Sequence, residues 1–502
     1  MGVPRLKKFI KENSEYLSRD LTLNLPNTII IDGTNVLYEI YHKKGLQNDS
    51  ENLEKLHDFV STIKKYVKPI FIFDGGHAND QKFPTMIERR KNTLQKKECI
   101  FLSDNWIKIL KELDEIQIAR CDFEADHEIA KIASAYECPV LSGDSDFYLM
   151  DLKHGFILYD DFKWEEAKNG IKCKLYHREF WEKMGVKEEC VPYLAAFAGN
   201  DIIKPQKPGK VEDIVPFLKK NSLDEVLKYV GAKLKPLISS CYSLPETSLV
   251  VEYLRTPDNR PISQLSSHFP DWFIELYRKC EVGKYVVDVV LHKRRFLGHN
   301  VGYTDTSLRL RQMQYGILIN DSKSTITEYQ PYVALGDMAS ELKEKNVKPI
   351  TQLQLRNIPN LKMITGMDLE HRKDLFYCFL EIEQSVCEDK IDLFHLPIAA
   401  LAFWWRNNQF TPVQSKERKI SKNHKHEFSQ WMAILKHTIY LNQLLKFPIT
   451  KCDVTVITSK VFSKLFEENK KQRSQGENSA GLSEQEELYN ALELFIDQLY
   501  QS

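Results

Sequence analysis

Seven acidic residues stand where they could do chemistry. Asp144 and Asp146 lie two positions apart in Ser142-Gly-Asp144-Ser-Asp146, directly after the apolar pair Val140-Leu141. Asp32 closes the run Thr28-Ile-Ile-Ile31, and Asp74 closes Pro69-Ile-Phe-Ile-Phe73. Glu124 and Asp126 sit in Phe123-Glu-Ala-Asp126, and Asp201 follows Gly199-Asn200. Like charges brought together repel unless a cation lies among them. Histidine-free, oxygen-rich sets suit hard ions such as Mg²⁺ or Mn²⁺. Two such ions about 4 Å apart activate a water and brace both the attacking and the leaving oxygen at phosphorus. The expected reaction is metal-assisted hydrolysis of a phosphodiester. Each acid alone has a plainer role. An Asp after a strand caps a helix, and Glu124 and Asp126 would complement a helix dipole. Only the joint placement at strand ends points to metals. Asp122, Glu128, Asp151, Asp160 and Asp161 lack that placement and read as surface or capping residues.

The elements that must position these acids alternate between strand and helix. Short apolar runs at 28–31, 69–73, 116–119, 140–141 and 155–159 read as strands, and amphipathic stretches at 56–66 and 124–136 read as helices. Such alternation implies βαβ units and a mostly parallel, twisted sheet flanked by helices. Ligands bind such sheets at the carboxyl ends of their strands, where these acids fall. Between Asp74 and Asp104 the pattern changes to a helix-like insertion, about residues 75–100. Phe83, Met86, Ile87 and Leu94 mark one face, and Arg89, Arg90, Lys91, Lys96 and Lys97 mark the other. After Asp201 comes a proline-broken basic turn with Lys204, Lys207 and Lys210, which could touch phosphates.

Beyond about residue 205 the chain reads as mainly α-helical to 469, with aromatic-rich segments at 269–277, 285–296 and 398–405. Residues 470–482 read as a polar linker. A capping box at Ser483-Glu-Gln-Glu486 opens a last helix, 483–502. The basic stretch 416–426 reads as a solvated loop, with a nuclear-import or nucleic-acid patch as the alternative. Lys293-Arg294-Arg295 reads either as a phosphate contact or as a salt-bridged helix face, and Trp404 and Trp405 as core.

Composition bounds the rest. At 502 residues, more than one core is needed. Lys plus Arg balance Asp plus Glu at 70 each, so any nucleic-acid surface depends on local segregation of charge. Ten scattered cysteines with no CxxC pair give neither a zinc ribbon nor a disulfide framework, and a reducing intracellular setting is expected. The apolar stretch 396–405 is about half a membrane span, so no membrane partner is expected.

In order, Met1-Gly2-Val-Pro-Arg-Leu6, Ile31-Asp32-Gly33, Phe73-Asp74-Gly75, Glu124-Ala-Asp126, Asp144-Ser-Asp146 and Gly199-Asn-Asp201 resemble the flap endonuclease/XPG-type, PIN-like nucleases. Cys138-Pro-Val-Leu-Ser-Gly-Asp-Ser-Asp-Phe147 and Leu291-His-Lys-Arg-Arg295-Phe-Leu297 further resemble the asteroid homologue proteins of that superfamily. The nuclease resemblance covers about residues 1–205, and the looser asteroid resemblance covers most of the chain. It implies that Asp32, Asp74, Glu124, Asp126, Asp144, Asp146 and Asp201 hold two Mg²⁺ or Mn²⁺ ions. It implies that Lys82 and Arg89 meet the scissile phosphate, and that Gly2 lies against DNA. The expected function is a structure-specific endonuclease on single-stranded, flap or overhang DNA, in DNA repair. The expected protein is a nuclear monomer whose helical domain binds protein partners. The segment after Asp201 departs from the Gly-rich helix–two-turn–helix element of flap endonucleases. RNA cleavage, or a scaffold that keeps the fold without turnover, are the alternatives.

Overall fold

The computed structural model describes residues 2–43, 49–76, 83–93, 101–200, 203–205, 209–232, 234–242, 248–256, 263–291, 295–297, 306–332, 341–353, 356–384, 395–407 and 421–451. The chain divides into two units. The first comprises residues 1–86, 106–267 and 274–280, and the second 87–105, 268–273 and 281–502.

The first unit is built on a seven-stranded sheet. Its strands are β1 (Ser18–Leu23), β2 (Thr28–Asp32), β3 (Lys68–Phe73), β4 (Gln117–Arg120), β5 (Val140–Ser142), β6 (Phe156–Leu158) and β7 (Ile171–Tyr176). They lie in the order β1-β7-β6-β5-β2-β3-β4. β6, β5, β2, β3 and β4 are mutually parallel, while β7 and β1 add an antiparallel edge. Ile29, Ile30, Ile31, Val140 and Leu141 are wholly buried, as expected of central parallel strands covered on both faces. The chain runs from β2 outward through β3 to β4, then returns to the other side of β2 as β5. That reversal opens a crevice at the carboxyl ends of β2 and β5.

The five parallel strands stand where the apolar runs predict them. β1 lacks a sequence signature, because Ser18-Arg-Asp-Leu-Thr-Leu23 alternates weakly and exposes its polar side chains. β7, Ile171-Lys-Cys-Lys-Leu-Tyr176, alternates apolar and polar residues but is not among the expected strands. The expected helices stand at Asp49–Ile63 and Asp126–Ala135, and a further helix, Gly33–Lys43, follows β2 directly. The insertion is helical at Phe83–Thr93.

The first unit continues past residue 205. Val211, Ile214, Leu218, Val226, Val230, Ile238, Tyr242, Val250 and Leu254 join the same buried cluster as Leu6, Ile30, Ile72 and Val140. One buried tie in this part contradicts a sequence expectation. Asp122 is 8% exposed rather than a surface residue. Its carboxylate accepts from Arg278 Nη2 at 2.6 Å, Ser263 Oγ at 2.9 Å and the Gln264 amide at 2.8 Å. Arg278 is 1% exposed and also donates to the Arg120 carbonyl at 2.6 Å.

The second unit contains helices Leu308–Ile319, Leu369–Leu380, His395–Asn407 and Ser421–Leu444. Alongside the helices expected for this region, it also carries a three-stranded sheet. Its strands are β8 (Arg295–Leu297), β9 (Ile326–Tyr332) and β10 (Glu341–Val347), in the order β10-β9-β8. Charge-rich Glu341-Leu-Lys-Glu-Lys-Asn-Val347 hides β10 from an apolar pattern search. Arg311 and Glu328 form a buried bidentate pair at 2.8 and 3.1 Å, with Tyr315 donating to the same carboxylate. Trp404 is core, its indole donating to Gln430 at 3.2 Å. The linker at 470–482, the last helix and residues 416–420 of the basic stretch lie outside the described residues, while 421–426 begin the helix Ser421–Leu444 instead of the expected loop. No described helix is long and apolar enough to cross a membrane.

Replacing Arg278 by Met strands Asp122 as a buried, uncompensated charge, and should cost about 3–5 kcal/mol of unfolding free energy in urea. Asp122→Asn combined with Arg278→Met should recover a large part of it. A single variant as stable as the unaltered protein would show that the pair is dispensable.

Candidate active site

The sheet order decides which acids can meet. β2 lies between β5 and β3, so the segments after these three strands emerge side by side. Asp32 ends β2, Asp74 follows β3, and Asp144 and Asp146 follow β5. Ile31 pairs with Leu141, which brings Asp32 level with Ser142. The segment after β4 joins the group through backbone bonds. The Gly75 amide donates to the Phe123 carbonyl at 2.8 Å, and the Gly76 amide to that of Asp122 at 3.1 Å. The Ala125 amide, between Glu124 and Asp126, donates to Asp74 Oδ1 at 3.0 Å. Glu124 and Asp126 are half-buried beside it. Tyr277 props this corner, its hydroxyl accepting from the Gly76 amide at 2.7 Å.

Asp32 is the electrostatic centre. It is 5% exposed and accepts from the Asn35 amide at 3.0 Å and from Ser142 Oγ at 2.8 Å. Burial, then the nearby Asp74 charge, outweigh those two bonds and push its carboxyl up to about 8, with Asp144 adding to the rise. Asp144 is itself buried; its Oδ1 accepts from the Asp146 amide at 3.0 Å, and its own amide donates to Ser142 Oγ at 3.1 Å. Asp146 is half-buried and accepts from the Tyr242 hydroxyl at 3.2 Å. Burial, then the Asp146 charge, keep that phenol well above its usual range, so it stays a donor.

Gly2 reaches the same corner. At φ 82° it lies in the left-handed region, and a Cβ there would collide with Ser145 Oγ and Asp144 Oδ1. Gly143 is as tightly enclosed, by Asn35 and Glu39. Its amide donates to Asn35 Oδ1 at 2.6 Å.

The structure thus brings together Asp32, Asp74, Glu124, Asp126, Asp144, Asp146 and Gly2. Among the described residues, no three carboxylate, imidazole or thiol groups are gathered closely enough to hold one ion. Asp32, Asp74, Asp144 and Asp146 instead each turn to a nearby N–H or O–H donor. Lys82, Asp201 and Lys207 lie outside the described residues. Arg89 and Arg90 fall on the helix Phe83–Thr93, and Lys91, Lys204 and Lys210 are exposed.

Sequence reasoning missed the residues that hold the acids: Thr34, Asn35, Ser142, Tyr242 and, further out, Tyr277 and Arg278. Thr34 Oγ1 accepts the Asp74 amide at 3.2 Å. A signal existed for three of them. Thr34-Asn35 directly after Asp32, and Ser142 directly before Gly143-Asp144, are small polar residues closing apolar strands. Tyr242 and Arg278 arrive from distant sequence and gave none.

Comparison with known proteins agrees with the resemblance read from the motifs. The Asteroid N-terminal domain matches residues 410–500. The chain is 22% identical to the single-strand DNA endonuclease ASTE1 of Homo sapiens, across 91% of this chain and 84% of that protein. It is also 22% identical to the ASTE1 endonuclease of Danio rerio, across 90% and 80%. Among solved structures, human GEN1 bound to Holliday junction DNA aligns over 70% of this chain and 90% of that one, at 14% identity and a TM-score of 0.36.

A carboxyl group raised from 3.8 to about 8 favours the fold fully below pH 4, and that contribution is lost as pH climbs through 8. Asp32→Asn keeps the shape and removes the charge. In chelator, its melting temperature should match the unaltered protein near pH 4, then exceed it by a margin that grows to pH 8 and levels off. A pH-independent difference would show that Asp32 is not under charge strain.

Proposed function

We propose that this protein is a metal-dependent endonuclease that hydrolyses phosphodiesters in DNA of single-stranded, flap or overhang character. The observation that carries this reading is the buried Asp32, forced toward neutrality by burial and by the acids of two adjacent strand ends. A fold that gathers negative charge at a ligand-binding crevice is suited to cations. The donors are all carboxylates, which fits Mg²⁺ or Mn²⁺ rather than zinc or copper. Asp32, Asp74, Glu124, Asp126, Asp144, Asp146 and Asp201 would hold two such ions. When bound, these supply an activated water and offset charge on the scissile phosphate. The named activity of the ASTE1 relatives, aligned along most of both chains, supports DNA as the polymer.

The chain's own residues have distinct tasks in this reading. Ser142 and the Asn35 amide orient Asp32, and the Ala125 amide orients Asp74. Gly2 has no Cβ to collide with Asp144 and Ser145, so its own backbone lies close to that carboxylate. Lys82 and Arg89 would meet the phosphate charge that the ions leave exposed. Arg90, Lys91, Lys204, Lys207 and Lys210 would contact phosphates further along, fixing position without reading sequence. The work of such an enzyme is nuclear, in DNA repair, as a monomer with protein partners on its second unit.

Asp144→Ala with Asp146→Ala should abolish Mg²⁺- or Mn²⁺-dependent cutting of single-stranded, 5′-flap and 3′-overhang DNA while the protein stays folded by circular dichroism. Equal cutting by that double variant would sink the assignment. Preferential cutting of matched RNA would move the activity to the other polymer. Absence of any cutting together with absence of metal binding would return the protein to a scaffold role.

A further inference from the structure

Asp146 is held differently from the other acids. Asp32, Asp74 and Asp144 each accept a backbone amide within five residues of their own or a neighbouring strand end. Asp146 accepts instead from Tyr242, ninety-six positions away, on the helix Leu234–Tyr242. That helix belongs to the part of the first unit beyond Asp201, where the motif pattern ends.

The hydroxyl direction is determined by a chain of bonds. Gly199, at φ 80°, opens a turn in which Asn200 and Ile203 bond reciprocally. The Asn200 amide donates to the Ile203 carbonyl at 2.9 Å, and the Ile203 amide donates to Asn200 Oδ1 at 2.7 Å. The second bond settles the side-chain amide, since the reverse orientation would set two donors face to face. Asn200 Nδ2 is therefore the atom that meets Tyr242, donating to its hydroxyl oxygen at 2.8 Å. With Asn200 donating to it, the phenol directs its own proton to Asp146 Oδ1, 3.2 Å away. The terminal torsion of an aspartate is broad and roughly two-fold, so its carboxylate plane is set by its partners rather than by its own rotamer.

We infer that Tyr242 is a positioning residue for Asp146: its hydroxyl, oriented by Asn200, sets the plane of the carboxylate. This rests on the metal-dependent reading of the site given above. A phenylalanine would fill the same buried space, so packing does not account for the hydroxyl. Partners that orient metal-ligating carboxylates typically change metal affinity or activity by about 10–100-fold when removed.

The test is calorimetric titration of Mn²⁺ into protein without DNA, with the melting temperature in chelator measured alongside. Tyr242→Phe should weaken Mn²⁺ binding about tenfold, leave the chelator melting temperature nearly unchanged, and cut DNA again as Mn²⁺ is raised. Asn200→Ala, which keeps the phenol but frees its hydroxyl to rotate, should weaken binding in the same direction by a smaller factor. It decides the matter if Tyr242→Phe proves unstable. Unaltered protein that binds Mn²⁺, with both folded variants matching it, overturns the role of Tyr242 alone. Unaltered protein that binds no Mn²⁺ overturns the metal reading of the whole site, and Tyr242's role with it.

Discussion

The arrangement of the first unit depends on one buried carboxylate that has no cation beside it among its described partners. Asp32 ends the central strand of the sheet, between the strands that deliver Asp74 and Asp144. The strand order dictates this crowding. A chain that runs β2, β3, β4 to one side and returns as β5 on the other must set the ends of β5, β2 and β3 in a row. Any acid placed after each strand then faces its neighbours across one strand spacing, about 5 Å. In a low-dielectric setting, repulsion at that range is strong enough to change which protonation state the fold prefers.

The neighbouring residues moderate this repulsion without neutralising it. Asn35, Thr34 and Ser142 are small polar side chains placed one to three residues from an acid. Each contributes to fixing a direction: Asn35 holds Gly143, Thr34 holds the Asp74 backbone, and Ser142 bridges Asp32 and Asp144. Hydrogen bonds to the charged form lower a carboxyl pKa, yet at Asp32 they lose to burial and to like charge. Residues 211–280 complete the support. Tyr242 reaches Asp146, while Tyr277 and Arg278 tie down the segments after β3 and β4. The first unit extends beyond residue 205 because its acids are held partly by that later sequence.

What could be read from sequence was local. Four of the five apolar runs ended in site acids or in a turn leading to them, so the parallel strands and most of their functional ends were visible one segment at a time. The insertion helix and the helix after Phe123 were visible by periodicity. β7 alternates apolar and polar residues and so carried a strand signal. The outermost strand did not, because the side chains of β1 are mostly polar and exposed and match a solvent-facing strand and a loop equally well. β10 was hidden for the same reason. The contacts of Tyr242, Tyr277 and Arg278 could not be read at all. Each is a single polar group on an apolar or mixed helix, and its partners are chosen by tertiary packing rather than by spacing. Asp122 was misread as a surface residue because the arginine that buries it lies 156 positions away.

Asp122 and Asp32 make an instructive pair, since both are buried aspartates at the carboxyl edge of one sheet. Asp122 has what a structural carboxylate needs: a buried arginine at 2.6 Å, a hydroxyl and a backbone amide. Among the described residues, Asp32 has only neutral donors, and its charged neighbours are two more acids. A fold able to provide Arg278 to one of these aspartates had the means to compensate the other. Leaving Asp32 uncompensated costs the fold on the order of a few kcal/mol near neutral pH. Divalent cations would repay that cost and reverse the preference for the protonated form. The contrast between two acids of the same type, on the same edge and at similar burial separates the carboxylate that maintains the fold from the one suited to hold a ligand.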